Sequence, residues 1–182
     1  MCQIPIEPKE SIDFLDISFK SATILIALFN VYFATKVFNF KNKKDDNEKE
    51  SDRKIQLLKT IILDHNLKNF YSIFDEIDIE LNKLKTPNLT DEEKGTIDSS
   101  VADLFIKLRR KFYDPLLAIE NNLYDTIKAN CDELQSNLSN VIFDQGINLS
   151  HLPKYEDSID EKLTVCKTKI VQILFTYRGG NS

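Results

Sequence analysis

Apolar residues recur at steps of three and four over much of the second half of the chain. The longest such stripe has thirteen members, which are Ile97, Val101, Leu104, Leu108, Phe112, Leu116, Ile119, Leu123, Ile127, Cys131, Leu134, Leu138 and Val141. This spacing puts all of them on one face of a helix, whereas a strand alternates with a period of two. The chain has only four glycines, and tight β-hairpins depend on glycine for positive φ. The sequence therefore predicts an all-α fold.

Two shorter stripes precede this run and one follows it. The last comprises Ile159, Leu163, Cys166, Ile170, Ile173 and Tyr177. The middle one comprises Leu67, Phe70, Phe74, Ile77, Leu81 and Leu84. The first contains Ile55, Leu58 and Ile62, and a step of five residues separates Ile62 from Leu67. Because five is not a helical repeat, the two stripes are out of phase, and we expect a break or kink at residues 64–66.

Local signals mark where these helices begin and end. Thr86-Pro87 predicts an end, because the residue before a proline avoids helical geometry. Thr90 and Glu93 have the spacing of a capping box, which predicts the start of the next helix. Pro115 lacks the backbone donor that a helix interior needs, so the long stripe should kink or break beside it.

Short connections separate the helices predicted after residue 55. Such connections between long amphipathic helices favour antiparallel neighbours, and steps of three and four are also those of coiled-coil packing. We therefore expect an antiparallel bundle of about four long amphipathic helices over residues 55–178, followed by a tail at 179–182.

Residues 21–40 form an apolar segment with one charge, Lys36, after an N-terminal tail at 1–20. A bilayer span takes about 20 mostly apolar residues. The uncharged run from Ser21 to Thr35 has fifteen, so spanning requires Lys20 and Lys36 to reach toward the interfaces. The segment is apolar all round, which favours a transmembrane helix. The alternatives are a buried helix of a soluble bundle or oligomer interface and, with a poorer fit to the acidic leader, a signal peptide.

Residues 41–54 follow the apolar segment as a charged linker. Eleven of the fourteen are charged, six basic and five acidic, so they stay in solvent either as loose chain or as an exposed helical stalk. Lys41, Lys43 and Lys44 lie next to the apolar segment. This basic flank predicts a single-pass orientation with the N-terminus outside and the helical domain in the cytoplasm.

The sequence lacks the usual marks of catalysis and of nucleic-acid binding. The net charge is −5, without the basic face that nucleic acid attracts. The three cysteines form no C-x-x-C pair, the two histidines have no metal-site spacing, and no glycine-rich phosphate loop occurs. We expect neither an enzyme nor a bound cofactor or metal, and no nucleic-acid partner.

Three places are candidate contact sites. The loop residues His151, Pro153 and Tyr155 are expected to form a contact surface. Alternatively, Leu152 and Tyr155 of the same loop cover the end of the core. Arg109 and Arg110 contact anionic headgroups or simply lie on a solvated face. A third candidate lies inside the apolar segment, where Asn30 is able to pair across an oligomer or to bond within its own helix.

These features favour a membrane-anchored helical scaffold, adaptor or regulatory subunit. Its partners would be membrane lipid, through the N-terminal helix, and a protein partner or a second copy of itself. One alternative is a membrane effector that oligomerises through its span and perturbs the bilayer. Another is a soluble helical regulatory partner of an enzyme.

Overall fold

A computed structural model describes the backbone of residues 14–180 and the side chains from residue 25 onward, except that of residue 26. The chain divides into two compact units, Met1–Glu48 and Lys49–Ser182, with the boundary inside the charged segment. The α-helices in the described part are α1 (Phe14–Leu57), α2 (Leu67–Asn82), α3 (Asp91–Leu108), α4 (Asn121–Phe143), α5 (Leu152–Tyr155) and α6 (Glu161–Thr176). Within these described residues every regular element is helical, and π- and 3₁₀-helical segments join neighbouring helices into about four long runs after residue 49. The prediction of an all-α fold with about four helices is confirmed.

The charged segment at 41–54 is part of α1. Its charges pair along the helix, with Lys44 Nζ 3.8 Å from Glu48 and Arg53 2.8 Å from Glu50. Exposed pairs of this kind contribute little to stability, because water and salt screen them. Of the two forms that the sequence allowed, loose chain or helical stalk, the structure has the helix.

A π-helical segment, Leu58–Asn66, follows α1 where the sequence predicted a break. The Leu67 amide donates to the carbonyl of Ile62, five residues earlier, which is the hydrogen bond that defines a π-helix. This wider turn absorbs the five-residue step, so Leu58 and Ile62 stay buried in the same core as Phe70. The chain adjusts its helical repeat here and continues into α2.

The predicted helix boundaries on either side of residue 88 are confirmed. A 3₁₀ turn, Lys83–Lys85, ends the second run, and Thr86 is extended (ψ 126°) ahead of Pro87. At the start of α3, Glu93 N–H donates to Thr90 Oγ1 at 3.2 Å, and Thr90 N–H donates to Glu93 Oε2 at 2.8 Å. These reciprocal bonds form the capping box. The Glu93 carboxylate accepts hydrogen bonds from the backbone N–H of Thr90 and then from its hydroxyl, and both lower the pKa of this carboxyl.

The helix that carries the long apolar stripe is interrupted completely at Pro115. A π-helical segment, Arg109–Tyr113, extends α3 and passes into a 3₁₀ segment, Asp114–Ala118, before α4 begins. Since α3 and α4 pack against each other, this interruption is a reversal of the chain. The turn is covered by its own apolar side chains, because Leu116 and Ile119 are buried.

One hydrophobic core occupies the unit Lys49–Ser182. In it, α2 packs against α3 and α6, and α4 packs against α3 and α6. Aromatic rings fill its centre, where the centroid of Phe70 lies 4.7 Å from that of Phe74 and 4.6 Å from that of Phe112. The largest fully buried side chains are Tyr155, Phe70, Phe112, Ile62, Ile73, Ile77, Leu81, Leu84, Leu108, Leu116, Ile127 and Leu138. Ten of these twelve belong to the predicted stripes, whereas Ile55 of the first stripe is exposed and Leu104 of the longest is only partly buried.

The predicted transmembrane helix at 21–40 is not supported. Among the residues that the structure describes, no helix is both long enough and apolar enough to cross a membrane. The physical reason lies in the described part of the segment, where Asn30, Lys36 and Asn39 interrupt the apolar residues and Lys41 ends them. The side chains of residues 21–24, with which the predicted span begins, lie outside the described set.

Candidate functional site

The last loop, for which the sequence allowed a contact surface or cover for the end of the core, has one buried and two exposed candidate residues. His151 and Pro153 are exposed, and Pro153 lies in the first turn of α5. The His151 carbonyl accepts hydrogen bonds from the amides of Lys154 (2.9 Å) and Tyr155 (3.1 Å). His151 therefore starts a short helix, and its side chain and that of Pro153 remain available for contacts at the surface.

Tyr155 is fully buried and belongs to the core. Lys85 Nζ lies 4.1 Å from the centroid of its ring, within cation–π distance. Its hydroxyl is buried without a hydrogen-bond partner. Burial raises the pKa of this hydroxyl, and the carboxylates of Asp160 and Asp78 raise it further. In this position Tyr155 covers the core and presents no contact surface.

Arg109 and Arg110 are exposed at the end of α3. The Arg109 guanidinium lies 3.6 Å from the carboxylate of Asp114, and both side chains are partly solvated. The neighbouring Phe112 and Tyr113 are buried. This is the arrangement of a solvated basic face beside buried aromatic residues, and it leaves Arg110 free to face an anionic surface.

The structure does not bring the basic residues and the loop residues into one site. The segment Arg109–Tyr113 packs against α2, α4 and the π-helical segment Leu58–Asn66, whereas α5 packs against the segment Glu156–Asp160 that follows it. Two separate surface regions result. Among the described side chains, no group of three or more His, Cys, Asp or Glu residues is arranged to hold a metal ion.

The apolar part of α1 is the largest set of exposed apolar side chains in the described residues. Its large members are between 55% and 74% exposed, and they are Leu25, Leu28, Phe29, Val31, Tyr32, Phe33, Val37, Phe38 and Phe40. Asn30 lies among them and is also exposed. Successive helical residues point about 100° apart, so the consecutive positions 28–33 cover every side of the helix. We call residues 25–40 the apolar segment of α1. It is the part of the apolar stretch at 21–40 that begins where the described side chains begin.

Two polar side chains within this segment, those of Thr35 and Lys36, bond to their own helix. Thr35 Oγ1 donates to the Val31 carbonyl at 2.7 Å. Lys36 Nζ donates to the Tyr32 hydroxyl at 3.4 Å and lies 5.7 Å from the centroid of its ring. These two side chains therefore have partners that do not depend on water.

Sequence reasoning missed a set of contacts made by the residues after α6. The Tyr177 hydroxyl donates to Glu120 at 2.6 Å, and Ser51 Oγ donates to the Arg178 carbonyl at 2.9 Å. Gly179 and Gly180 have positive φ, and a Cβ on Gly179 would collide with Ser51. Only the adjacent glycines mark this feature in the sequence, and glycine is typical of a helix end without indicating what the tail contacts.

Sequence reasoning also missed that two cysteines lie across the same contact between helices. Cys131 of α4 and Cys166 of α6 were each assigned to an apolar stripe, and both are buried. Their stripes face each other because α4 packs against α6. The signal was present in the stripes, but nothing in their spacing says which residues become opposite neighbours.

Comparisons with protein-family models, with curated proteins and with solved structures found no match for this chain.

Proposed function

We propose that this protein is a membrane-anchored helical adaptor, with the apolar segment of α1 as the anchor and the unit Lys49–Ser182 as the part that contacts other proteins. The observation that carries the proposal is the exposure of apolar side chains on every side of the segment. A partner helix in a coiled coil covers one stripe, whereas lipid covers the whole circumference. Cover by lipid is therefore favoured over cover by a single helix.

The hydrogen bonds within the segment are also consistent with a lipid environment. A polar side chain in hydrocarbon needs a protein partner, because water is absent there. Thr35 bonds to the backbone one turn earlier, and Lys36 bonds to Tyr32. Lysine is also able to extend its ammonium group toward the headgroups while its stem stays in apolar surroundings.

The length of the segment sets how insertion would occur. Residues 25–40 number sixteen and rise about 24 Å, against about 30 Å of hydrocarbon in a typical bilayer. Insertion would therefore also use the preceding residues 21–24, local thinning of the bilayer and the extension of Lys36 and Lys41. The basic flank at Lys41, Lys43 and Lys44 favours an orientation with the following unit in the cytoplasm.

The unit Lys49–Ser182 supplies the contact surface for proteins in this proposal. It has large apolar side chains that are more than half exposed, among them Ile79, Leu152, Val165 and Phe175. Single exposed apolar residues are common on soluble proteins and provide the apolar part of ordinary protein interfaces. His151 and Pro153 lie beside Leu152 and would belong to the same contact region.

A flotation experiment with the full chain tests the anchor. We expect the protein to float with phosphatidylcholine–phosphatidylglycerol vesicles and to stay with them in alkaline carbonate. The double variant Leu28→Asp/Phe33→Asp should stay in the lipid-free fraction, because two charges in hydrocarbon cost about 5 kcal/mol or more. The matched variant Ile79→Asp/Phe175→Asp changes similarly exposed residues outside α1 and should still float. Recovery of the wild-type chain as a detergent-free, lipid-free oligomer would overturn the proposal.

A further inference from the structure

Two thiols lie across the contact between α4 and α6. Cys131 and Cys166 are 1% and 7% exposed, so both side chains are almost wholly inside the protein. Cys166 Sγ donates to the carbonyl of Asn130, the residue before Cys131, at 3.6 Å. The two thiols also shift each other's pKa, as groups in close proximity do. Cys166 therefore lies against the turn of α4 that carries Cys131.

The two thiols differ in their ease of ionisation. The hydrogen bond from Cys131 lowers the pKa of Cys166, and Lys169 lowers it further, while burial and Glu133 act against them. The same hydrogen bond raises the pKa of Cys131, and burial adds to that increase. Cys166 is therefore the more readily ionised of the two thiols, and the thiolate is the form that reacts with oxidants.

Cys166, the more readily ionised thiol, is also the more accessible of the two to solvent. A groove of about 370 Å³ runs between α4 and α6, and Cys166 forms part of its wall. Lys162 and Lys169 line this groove together with Glu133 and Glu161, whereas Cys131 is not part of its wall and is the more deeply buried of the two thiols. A small uncharged oxidant therefore reaches Cys166 first.

We propose that Cys131 and Cys166 are a redox-active dithiol that reacts with hydroperoxides and closes a disulfide between α4 and α6. In this scheme Cys166 is the reacting thiol, since it lines the groove. Cys131 is the resolving thiol, since it lies across the same contact between α4 and α6, next to the Asn130 carbonyl that Cys166 contacts, and is more deeply buried than Cys166. The proposal does not depend on the membrane anchor, because both cysteines lie in the unit Lys49–Ser182.

The chemistry takes place in two steps. The Cys166 thiolate attacks one oxygen of hydrogen peroxide, so that an S–O bond forms and the O–O bond breaks. The hydroxide released takes a proton and leaves as water, and Cys166 becomes a sulfenic acid. The Cys131 sulfur then attacks the Cys166 sulfur, so that an S–S bond forms, the S–O bond breaks and a second water leaves. Two thiols are oxidised and one peroxide is reduced to two waters.

The disulfide would tie α4 to α6 and enclose the connection that contains His151 and Pro153. A cross-link of this kind restricts the unfolded chain, so the oxidised protein should melt at a higher temperature than the reduced protein. Oxidation would thereby reduce the freedom of the loop at the end of α4.

The first test uses the full-length Cys2→Ser chain, so that only the two buried thiols remain. Hydrogen peroxide should lower its intact mass by about 2 Da, corresponding to the loss of two hydrogens, and dithiothreitol should restore it. A non-reducing peptide map should show residues 131 and 166 linked. A gain of oxygen mass without the linked peptide, or oxidation only after the protein is unfolded in urea, would overturn the proposal.

The second test assigns the roles of the two thiols in the same Cys2→Ser background. With Cys131→Ser, the sulfenic acid on Cys166 has no resolving thiol and should be trapped by dimedone in high yield. With Cys166→Ser, the remaining Cys131 should be labelled at least about tenfold more slowly, because it is shielded and not ionised. Circular dichroism of each variant confirms that it is folded. Equal labelling of the two folded variants would overturn the assignment, and if a variant does not fold, the peptide map of the first test alone decides the proposal.

Discussion

Tyr155 has the one side-chain polar atom among the described residues that is buried without a hydrogen-bond partner. A hydroxyl that loses its water and gains no partner costs about 1–3 kcal/mol, whereas its ring gains from burial. The ring also lies under the ammonium group of Lys85. Tyr155 therefore stabilises the core through its ring and opposes that stability through its hydroxyl.

The substitution Tyr155→Phe should consequently leave the free energy of unfolding unchanged or raise it by about 1 kcal/mol, because the ring and its contact with Lys85 remain. The control is Tyr177→Phe, which removes the hydrogen bond to Glu120 and should lower the free energy of unfolding by about 1 kcal/mol. Urea unfolding followed by circular dichroism measures both. A large loss of stability in Tyr155→Phe would mean that the hydroxyl has a partner in solution.

Two glycines of this chain provide a second contrast between single residues. Gly179 has a φ of +83° and lies against Ser51, so an alanine there meets both backbone strain and a collision. Gly95 lies inside α3 with open space where its Cβ would be. Gly179→Ala should lower the free energy of unfolding by at least about 1 kcal/mol. Gly95→Ala should raise it by about 0.5–1 kcal/mol, because alanine favours the helix. Thermal unfolding of the two variants should shift in opposite directions, and equal shifts would exclude this account of the tail.

At the scale of the element, the π-helical segment Leu58–Asn66 keeps two stripes in one core. The five-residue step between Ile62 and Leu67 is accommodated only because the helix widens there. Deleting the exposed Asp64 would shorten the step to four, which an ordinary α-helix accommodates. Inserting one alanine after Asp64 would lengthen it to six and rotate Leu58 and Ile62 away from the core.

We therefore expect opposite outcomes from the deletion and the insertion. The chain without Asp64 should remain cooperatively folded, with hydrogen exchange that shows an uninterrupted α-helix through residues 58–82. The inserted chain should lose about 3 kcal/mol or more of unfolding free energy, since burying two large aliphatic side chains contributes about 1.5–3 kcal/mol each. An unfolded deletion chain beside a stable insertion chain would show that the π-helix has a different role.

These elements also show how far sequence reasoning reached. Boundaries fixed by local chemistry were predictable, because Thr90 and Glu93 bond to each other and Pro87 constrains only its predecessor. The reversal at Pro115 was predicted only as a kink or break. Its own residues Leu116 and Ile119 are buried and keep the helical spacing, so periodicity continues through the turn. Whether a break becomes a reversal depends on the packing of distant helices, which spacing does not record.

The candidate sites were less predictable, because they too depend on how distant helices pack together. The sequence left open whether Tyr155 forms a contact surface or covers the core, and the structure buries it completely at the end of α5. Predicting that Cys131 lies opposite Cys166 requires the rotation of each helix about its axis and the position of one helix along the other. The stripes indicate the rotation. The position along the axis depends on packing over the whole contact between α4 and α6, which the spacing does not record.

At the scale of the whole molecule, the two units use their apolar residues differently. The unit Lys49–Ser182 buries its stripes in a core of its own, so it has what an independent domain needs. In the unit Met1–Glu48 the described apolar side chains are exposed. Such a surface requires cover in water, and the proposed anchor assigns that cover to lipid.

The substitution Asn30→Leu tests whether anchored chains also assemble through the apolar segment. In a lone helix, the amide of Asn30 slightly weakens insertion, so leucine should leave flotation with vesicles unchanged or increase it. In an assembly, amides of neighbouring helices pair with one another and contribute about 1–2 kcal/mol in model peptides, so leucine should reduce cross-linked oligomers. We expect unchanged flotation and an unchanged cross-linking pattern, because one amide is a small contribution beside the apolar residues around it. Asn39→Leu, at the end of the segment next to Lys41, is the matched control. If Asn30→Leu alone abolished both the oligomers and leakage of vesicle contents, the anchor would have to be replaced by an effector that assembles in the bilayer.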